Sequence, residues 1–240
     1  ATKGLADYLN ECFEGEKSVA IAYDSRNNSK AFAETAAGVL CAQGIKVFLF
    51  ETLMPTPVLS FAVRYHNCTA GIVITASHNP KEYNGYKVYD SKGCQLVPQY
   101  ADKVIAYVNA VEDIKNIPCL ALDEAEKNGK LVMIGEETLA AFLAEVKTQS
   151  LYNEPSELKI VYTPLHGTGN VPVRRILEGR NVSIVKEQEL PDGNFSTVRS
   201  PNPEEKDALT LALKQAENEG ADIVIGTDPD CDRVGVGVLD

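Results

Sequence analysis

Two short polar stretches, each directly after an apolar run, hold the residues able to do chemistry. The first is Thr75-Ala76-Ser77-His78-Asn79-Pro80, following Gly71-Ile72-Val73-Ile74. In a parallel α/β sheet ligands sit beyond the carboxyl ends of strands. A hydroxyl there is a candidate phosphoryl acceptor or nucleophile, and His78 beside it offers a group able to exchange protons. Ser, Asn and Pro are also turn formers, so a plain turn would use the same residues. The absence of a Gly-x-Ser-x-Gly elbow disfavours a serine hydrolase. The second stretch is Asp228-Pro229-Asp230-Cys231-Asp232-Arg233, following Ile223-Val224-Ile225-Gly226. In extended chain, side chains at i, i+2 and i+4 share one side. Three carboxylates so placed converge on one hard cation or, lacking it, repel and raise one another's pKa. Oxygen-only ligation by few protein groups suits Mg²⁺. An EF-hand is ruled out, because its required Gly and Glu positions hold Arg233 and Leu239. A solvated acidic turn is the plainer alternative, and it leaves unexplained why the triad lies between two apolar runs. A serine, a cation seat and an arginine together suggest phosphoryl transfer, with a doubly negative phosphoserine at Ser77 balanced by the cation.

The elements that must position these loops read as alternating strands and helices. Val19–Tyr23, Lys46–Phe50 and Ala70–Ala76 are short apolar runs that predict strands, and Ser29–Leu40 and Val58–His66 carry helical spacing between them. Gly44 is placed as a helix-ending residue. This β-α-β-α-β order, with continuously apolar strands, predicts a mainly parallel sheet covered on both faces. Tyr86–Tyr89 and Cys94–Val97 flank Asp90-Ser91-Lys92-Gly93 as a hairpin. Helices are expected over Pro98–Val111 and around Leu139–Val146. Asn153-Glu154-Pro155-Ser156 breaks the pattern and predicts a boundary, giving one domain over residues 1–153 and another over 154–240. The second begins with a strand at Leu158–Tyr162. It continues through a Gly-rich loop, a helix over Pro172–Glu178, a strand over Val182–Val185 and a polar segment from Glu187 to Pro203. A helix over Glu204–Gly220 and strands over Ile223–Gly226 and Val234–Leu239 complete it.

With 34 acidic and 23 basic residues the 240-residue chain carries a net charge of −11, which argues against a nucleic-acid or anionic-membrane surface. It does not argue against phosphate ligands, since a cation and a few bases dominate locally. No apolar run approaches the roughly 18–20 residues needed to span a bilayer. The six cysteines are dispersed without Cys-x-x-Cys pairs, which fits idle thiols in a reducing cytoplasm.

These motifs resemble those of the α-D-phosphohexomutases, the phosphoglucomutase/phosphomannomutase family. Thr75–Pro80 is similar to its phosphoserine loop and Asp228–Arg233 to its magnesium loop. Asn84-Gly85-Tyr86-Lys87-Val88-Tyr89, Thr163-Pro164-Leu165-His166-Gly167-Thr168-Gly169 and Ser200-Pro201-Asn202-Pro203-Glu204-Glu205 match further family stretches in the same order. Their wording is closest to the phosphoglucomutase branch that includes phosphopentomutases. The resemblance implies two α/β/α domains with mixed, mainly parallel sheets, the first half of a four-domain enzyme. It implies interconversion of sugar 1-phosphate and 6-phosphate, of glucose or mannose or a pentose equivalent, through phosphorylated Ser77 and a bisphosphorylated sugar. Ser77, Asp228, Asp230 and Asp232 would ligate Mg²⁺. Lys87 would be the general acid/base, and His78 and Arg233 would bind or orient the reacting phosphate. Arg26, in Asp24-Ser25-Arg26, would either reach the substrate or form a structural ion pair. His166 sits in a Gly-rich loop that either presents N–H groups to an anion or simply connects strand to helix.

The family's N-terminal Gly-rich, Arg-containing segment and the sugar-recognition and phosphate-clamping loops of its last two domains have no counterpart here. The expected partners are therefore sugar phosphates and bisphosphates together with further C-terminal domains of the same chain, and the 240 residues alone are expected to turn over little. Alternatives from other classes are an Mg²⁺-dependent phosphatase that phosphorylates an aspartate, a nucleotide-sugar transferase with an Asp-x-Asp pair, and a non-catalytic sugar-phosphate-binding module.

Overall fold

The computed structural model describes residues 1–151 and 156–238. The first unit is built from α1 (Thr2–Cys12), β1 (Ser18–Tyr23), α2 (Ser29–Ala42), β2 (Lys46–Phe50), α3 (Thr56–Tyr65), β3 (Ala70–Ile74), β4 (Tyr86–Asp90), α4 (Pro98–Asn109), α5 (Leu122–Lys127), β5 (Leu131–Ile134) and α6 (Glu136–Thr148). Its sheet runs β4-β3-β1-β2-β5, parallel except for the edge strand β4, which pairs antiparallel with β3. The central strands are apolar on both sides because helices cover both faces. In β1, Val19, Ile21 and Tyr23 join the core under α1 and α2, with Leu5, Leu9, Ala33, Ala36 and Leu40. Ala20 and Ala22 face the opposite layer, formed by Val58, Leu59, Ala62 and Val63 of α3 and Leu139 and Leu143 of α6.

The second unit comprises β6 (Lys159–Thr163), α7 (Asn170–Ile176), β7 (Asn181–Ile184), α8 (Lys186–Glu189), a 3-10 turn (Lys206–Leu209), α9 (Thr210–Glu219), β8 (Ile223–Thr227) and β9 (Val234–Val238). Its sheet is ordered β7-β6-β8-β9, again parallel with an antiparallel edge strand. Ala212 and Ala216 of α9 pack on Val161 and Val224. In β9, Gly235 and Gly237 face Pro203 and Leu213, while the alternate residues Val234, Val236 and Val238 remain exposed.

Most expected elements form, with local departures. Cys94–Val97 does not make a second hairpin strand: a single bridge joins Tyr89 to Gln95, and the Cys94 N–H turns to Asp90 Oδ1 rather than to the main chain of β4. α3 starts at Thr56, inside what reads as a loop, with Pro57 compatible with a first turn. The expected helix over Glu204–Gly220 is a 3-10 turn leading into a shorter α-helix, ended by Gly220 in the left-handed region at φ 62°. β5 and α5 occupy a stretch to which the sequence assigned nothing. The expected boundary at Asn153–Ser156 falls mostly on positions outside the described residues, as does Leu239 at the end of the last strand. Among the described residues no helix is long and apolar enough to cross a membrane.

Candidate active site

Both polar loops lie where a parallel strand ends and the chain turns back into the antiparallel edge strand: 75–85 between β3 and β4, and 228–233 between β8 and β9. Although 151 residues apart in sequence, they meet. Ser77 Oγ donates to Asp228 Oδ2 at 2.8 Å. Lys87, on β4, places Nζ 2.8 Å from Asp230 Oδ2 and 3.4 Å from Asp232 Oδ2. His78 Nδ1 lies 3.4 Å from Ser77 Oγ. Ser77, His78, Lys87 and the three aspartates therefore form one cluster.

Ser77 sits in the left-handed region at φ 54°, a conformation that costs an L-residue about 1–2 kcal/mol, and a circuit of hydrogen bonds completed by one ion pair holds it there. The Ser77 N–H donates to Thr75 Oγ1 at 2.8 Å, and Thr75 Oγ1 donates to Asp24 Oδ2 at 2.7 Å. Arg26 Nε lies 3.1 Å from the same Asp24 oxygen. The Arg26 guanidinium then returns to the loop, donating to the carbonyls of Ser77 and Asn79 at 2.6 Å and of Pro80 and Tyr83 at 3.0 Å. Arg26 is only 3% exposed, with its guanidinium carbon 5.0 Å from the Phe195 ring centroid. It lies beneath the loop, closed off from the cleft. Of the two roles expected for it, the geometry is that of the ion pair, and the substrate-contact role is corrected: every N–H on its two terminal nitrogens is directed at main chain.

The acidic loop is held from within. Asp228 Oδ1 accepts the N–H groups of Asp232 and Arg233, both at 3.1 Å, and Cys231 adopts φ 55°. Thr168 donates both its N–H and its hydroxyl to the Pro229 carbonyl, at 2.8 and 2.9 Å. The three carboxylates each offer an oxygen within 4.8 Å of the others, and Asp228 and Asp230 are fully buried. Burial, reinforced by the Asp230 charge, pushes the Asp228 carboxyl up to about 8. For Asp230, burial pushes upward but the Lys87 ammonium more than offsets it, and the group is held low. For Lys87, burial alone would depress the ammonium, but Asp230 and Asp232 outweigh it and the net shift is upward.

The residues fit a divalent cation. The donor set is all oxygen, as hard cations require. Asp230 Oδ1 is buried and has no hydrogen-bond partner among the described residues, an orphan that a cation would satisfy. Burial pushes the Cys231 thiol up to about 12, which leaves it inert as a nucleophile.

Other expectations resolve differently. Arg233 contributes its main-chain N–H to Asp228, but its guanidinium pairs with Glu204 at 2.8 Å. His166 is buried, with Nδ1 donating to the Leu190 carbonyl at 3.0 Å and Nε2 accepting from Thr197 at 2.8 Å, so it ties the 190–197 segment to its own unit. Sequence reasoning missed Asp24 and Thr75 as the anchor of the serine loop, and it missed Thr56, whose hydroxyl donates to Asp230 Oδ2 at 2.9 Å. The turn former Asp24 at a strand end is a weak signal for the first. For Thr56 the Pro-Thr-Pro flank marks a helix start but not a partner.

The two units have counterparts in known proteins. Residues 1–115 match "Phosphoglucomutase/phosphomannomutase, alpha/beta/alpha domain I" and residues 139–240 match the corresponding domain II. A phosphoglucomutase of Staphylococcus saprophyticus is 41% identical over 235 residues, covering 97% of this chain and 42% of its own length. A phosphoribomutase of Saccharomyces cerevisiae is 37% identical over 259 residues, covering 100% and 42% respectively. A Burkholderia thailandensis protein of the phosphoglucomutase/phosphomannomutase family superposes with TM-score 0.78 at 21% identity, covering 99% of this chain and 49% of that one, a likeness of fold. The chain thus spans less than half the length of these curated relatives. Taken with the two-sheet architecture, the domain matches show that this chain belongs to the α-D-phosphohexomutase family, with the α/β/α domains I and II of a phosphoglucomutase/phosphomannomutase.

Proposed function

We propose that this chain provides the phosphoryl-transfer half of a mutase that interconverts sugar 1-phosphates and 6-phosphates, of glucose or mannose or the pentose equivalent, in the cytoplasm. In this proposal the sequence break at Asn153-Glu154-Pro155-Ser156 divides the two domains at 153/154. The observation that carries the reading is the 2.8 Å contact between Ser77 Oγ and Asp228 Oδ2, a hydroxyl of one unit against the acidic triad of the other.

In this reading Ser77 rests as a phosphoserine. Asp228, Asp230 and Asp232, with the serine's phosphate, hold Mg²⁺, which when bound offsets charge on the transferring phosphoryl group. In the first transfer the bond from phosphorus to Ser77 Oγ breaks as one to the free hydroxyl of the sugar phosphate forms, and the hydroxyl proton passes by way of Lys87 to the departing Oγ. In the second the bisphosphate gives its other phosphoryl group to Ser77 Oγ, whose proton passes by way of Lys87 to the sugar oxygen set free. His78, beside the serine oxygen, orients the moving group, and Arg233 binds phosphate once its guanidinium turns from Glu204. A cation on the triad would offset part of the carboxylate charge that holds the Lys87 ammonium up, and the downward push of burial would then weigh more.

The test is phosphate mapping by mass spectrometry after incubation with glucose 1,6-bisphosphate and Mg²⁺. Label on Ser77, lost in Ser77→Ala, is the expected result. Label on Asp228 favours the aspartyl phosphatase alternative, and label on neither refutes the reading.

A further inference from the structure

The geometry points to Thr56, on the first unit, as a positioning residue for the cation seat of the second. This rests on the reading that the aspartate triad holds a divalent cation. Thr56 opens α3, between Pro55 and Pro57. A first-turn N–H has no acceptor inside its own helix. Here it donates to the main-chain carbonyl of Asp230 at 2.9 Å, and the hydroxyl of the same threonine donates to Asp230 Oδ2 at 2.9 Å. One residue thus grips one aspartate twice across 174 positions of sequence, and both are buried, Thr56 at 5% exposure and Asp230 at 0%.

The two oxygens of the Asp230 carboxylate are thereby made unequal. Oδ2 accepts Thr56 and Lys87. Oδ1 is buried and has no partner among the described residues. Lys87 alone fixes this poorly, since its flexible stem is partly exposed and its ammonium is shared with Asp232. Thr56 is β-branched, on a helix anchored in the first core, and has little rotamer freedom. Its hydroxyl sets the carboxylate rotation so that Oδ1, and not Oδ2, faces the ligand. The seat on the second unit is then fully formed only when α3 of the first is docked on it.

A contact that merely glues the units would alter stability without altering cation affinity. Thr56→Val keeps the shape and the main-chain bond and deletes only the hydroxyl donor. With Mn²⁺ as the probe, followed by electron paramagnetic resonance on the 240-residue chain, we expect T56V to bind at least about 10-fold more weakly, the usual loss when the group orienting a metal ligand is removed. Thr56→Ser, which retains the hydroxyl, should restore affinity, and circular dichroism should show all variants folded. If valine prevents folding, Thr56→Ala carries the same test. Parent-like Mn²⁺ affinity in T56V, or a loss that T56S does not rescue, overturns the inference. Failure of the parent itself to bind Mn²⁺ overturns the cation reading beneath it.

Discussion

Alanine at Gly167 should cripple the acidic loop without touching any of its carboxylates. Gly167 lies in the turn after β6, and a Cβ built there would stand 2.4 Å from Pro229 Cα, 2.7 Å from Pro229 O and 2.9 Å from Pro229 C. All three are main-chain atoms, so no side-chain rotation relieves the contact. Restoring the nearest to an ordinary 3.4 Å separation requires a shift of about 1 Å, the difference of those distances. Pro229 lies between Asp228 and Asp230, and its carbonyl is held by both donors of Thr168, so the push passes into the carboxylates. Reactive constellations tolerate about 0.5 Å, and a misplacement of about 1 Å costs on the order of 100-fold. Gly167→Ala should therefore lower the rate of phosphoryl transfer to Ser77 about 100-fold, weaken Mn²⁺ binding in parallel, and cost about 1–3 kcal/mol of stability for overpacking. The comparison is Gly179→Ala, at φ 83° with no heavy atom within 4 Å of the added carbon. It should lose about 1–2 kcal/mol from backbone strain alone and transfer at the parent rate. Titration with Mn²⁺, timed phosphate mapping and urea denaturation read the three quantities. A G167A protein with the cation affinity and transfer rate of its parent would refute the coupling of this turn to the acidic loop.

Arg26→Met removes the donors beneath the serine loop and leaves Asp24 as a buried, unpaired carboxylate, which should cost about 3–5 kcal/mol in urea denaturation and slow labelling of Ser77; an unchanged unfolding midpoint would contradict the anchoring role. For the acidic loop, the folded Asp228 carboxyl is pushed up to about 8, whereas an unfolded aspartate titrates near 4. The native chain then holds the extra proton across that interval, so metal-free stability must fall as pH rises through it; Asp230, held low, acts in the opposite sense and only below that interval. With EDTA the melting temperature should be lower at about pH 8 than at about pH 5.5, and excess Mg²⁺ should remove the difference. Equal midpoints without metal would show that Asp228 is not the proton-binding group.

The strands leading into the two loops were legible because β3, buried on both faces, and β8, buried on one and half-buried on the other, are apolar almost throughout. β5 was not, since four residues, Leu131–Ile134, after Gly129 are too few to show a period. Cys94–Val97 reads as a strand by composition, but the side chain of Asp90 takes the Cys94 N–H that a ladder would use. Ser77 and the triad could be found because their chemistry is local: adjacent turn formers in one case, alternating acids in the other. Arg26 and Thr56 act on partners 51 to 57 and 174 residues away, and no spacing rule connects such pairs. The Arg26 guanidinium mostly meets main-chain carbonyls, which carry no residue identity to read.

The strand order has a mechanical consequence. A loop that crosses between parallel strands needs a helix to bring it back, and its two ends sit far apart. Each reactive loop here instead spans a neighbouring antiparallel pair, Ile74 with Tyr86 in one sheet and Thr227 with Val234 in the other. The two ends of each loop thus face each other on a single rung of the ladder, as in a compact Ω-shaped excursion. The entropy of arranging nucleophile and carboxylates is given up once, when the sheets form, and is not demanded again at every encounter with a substrate.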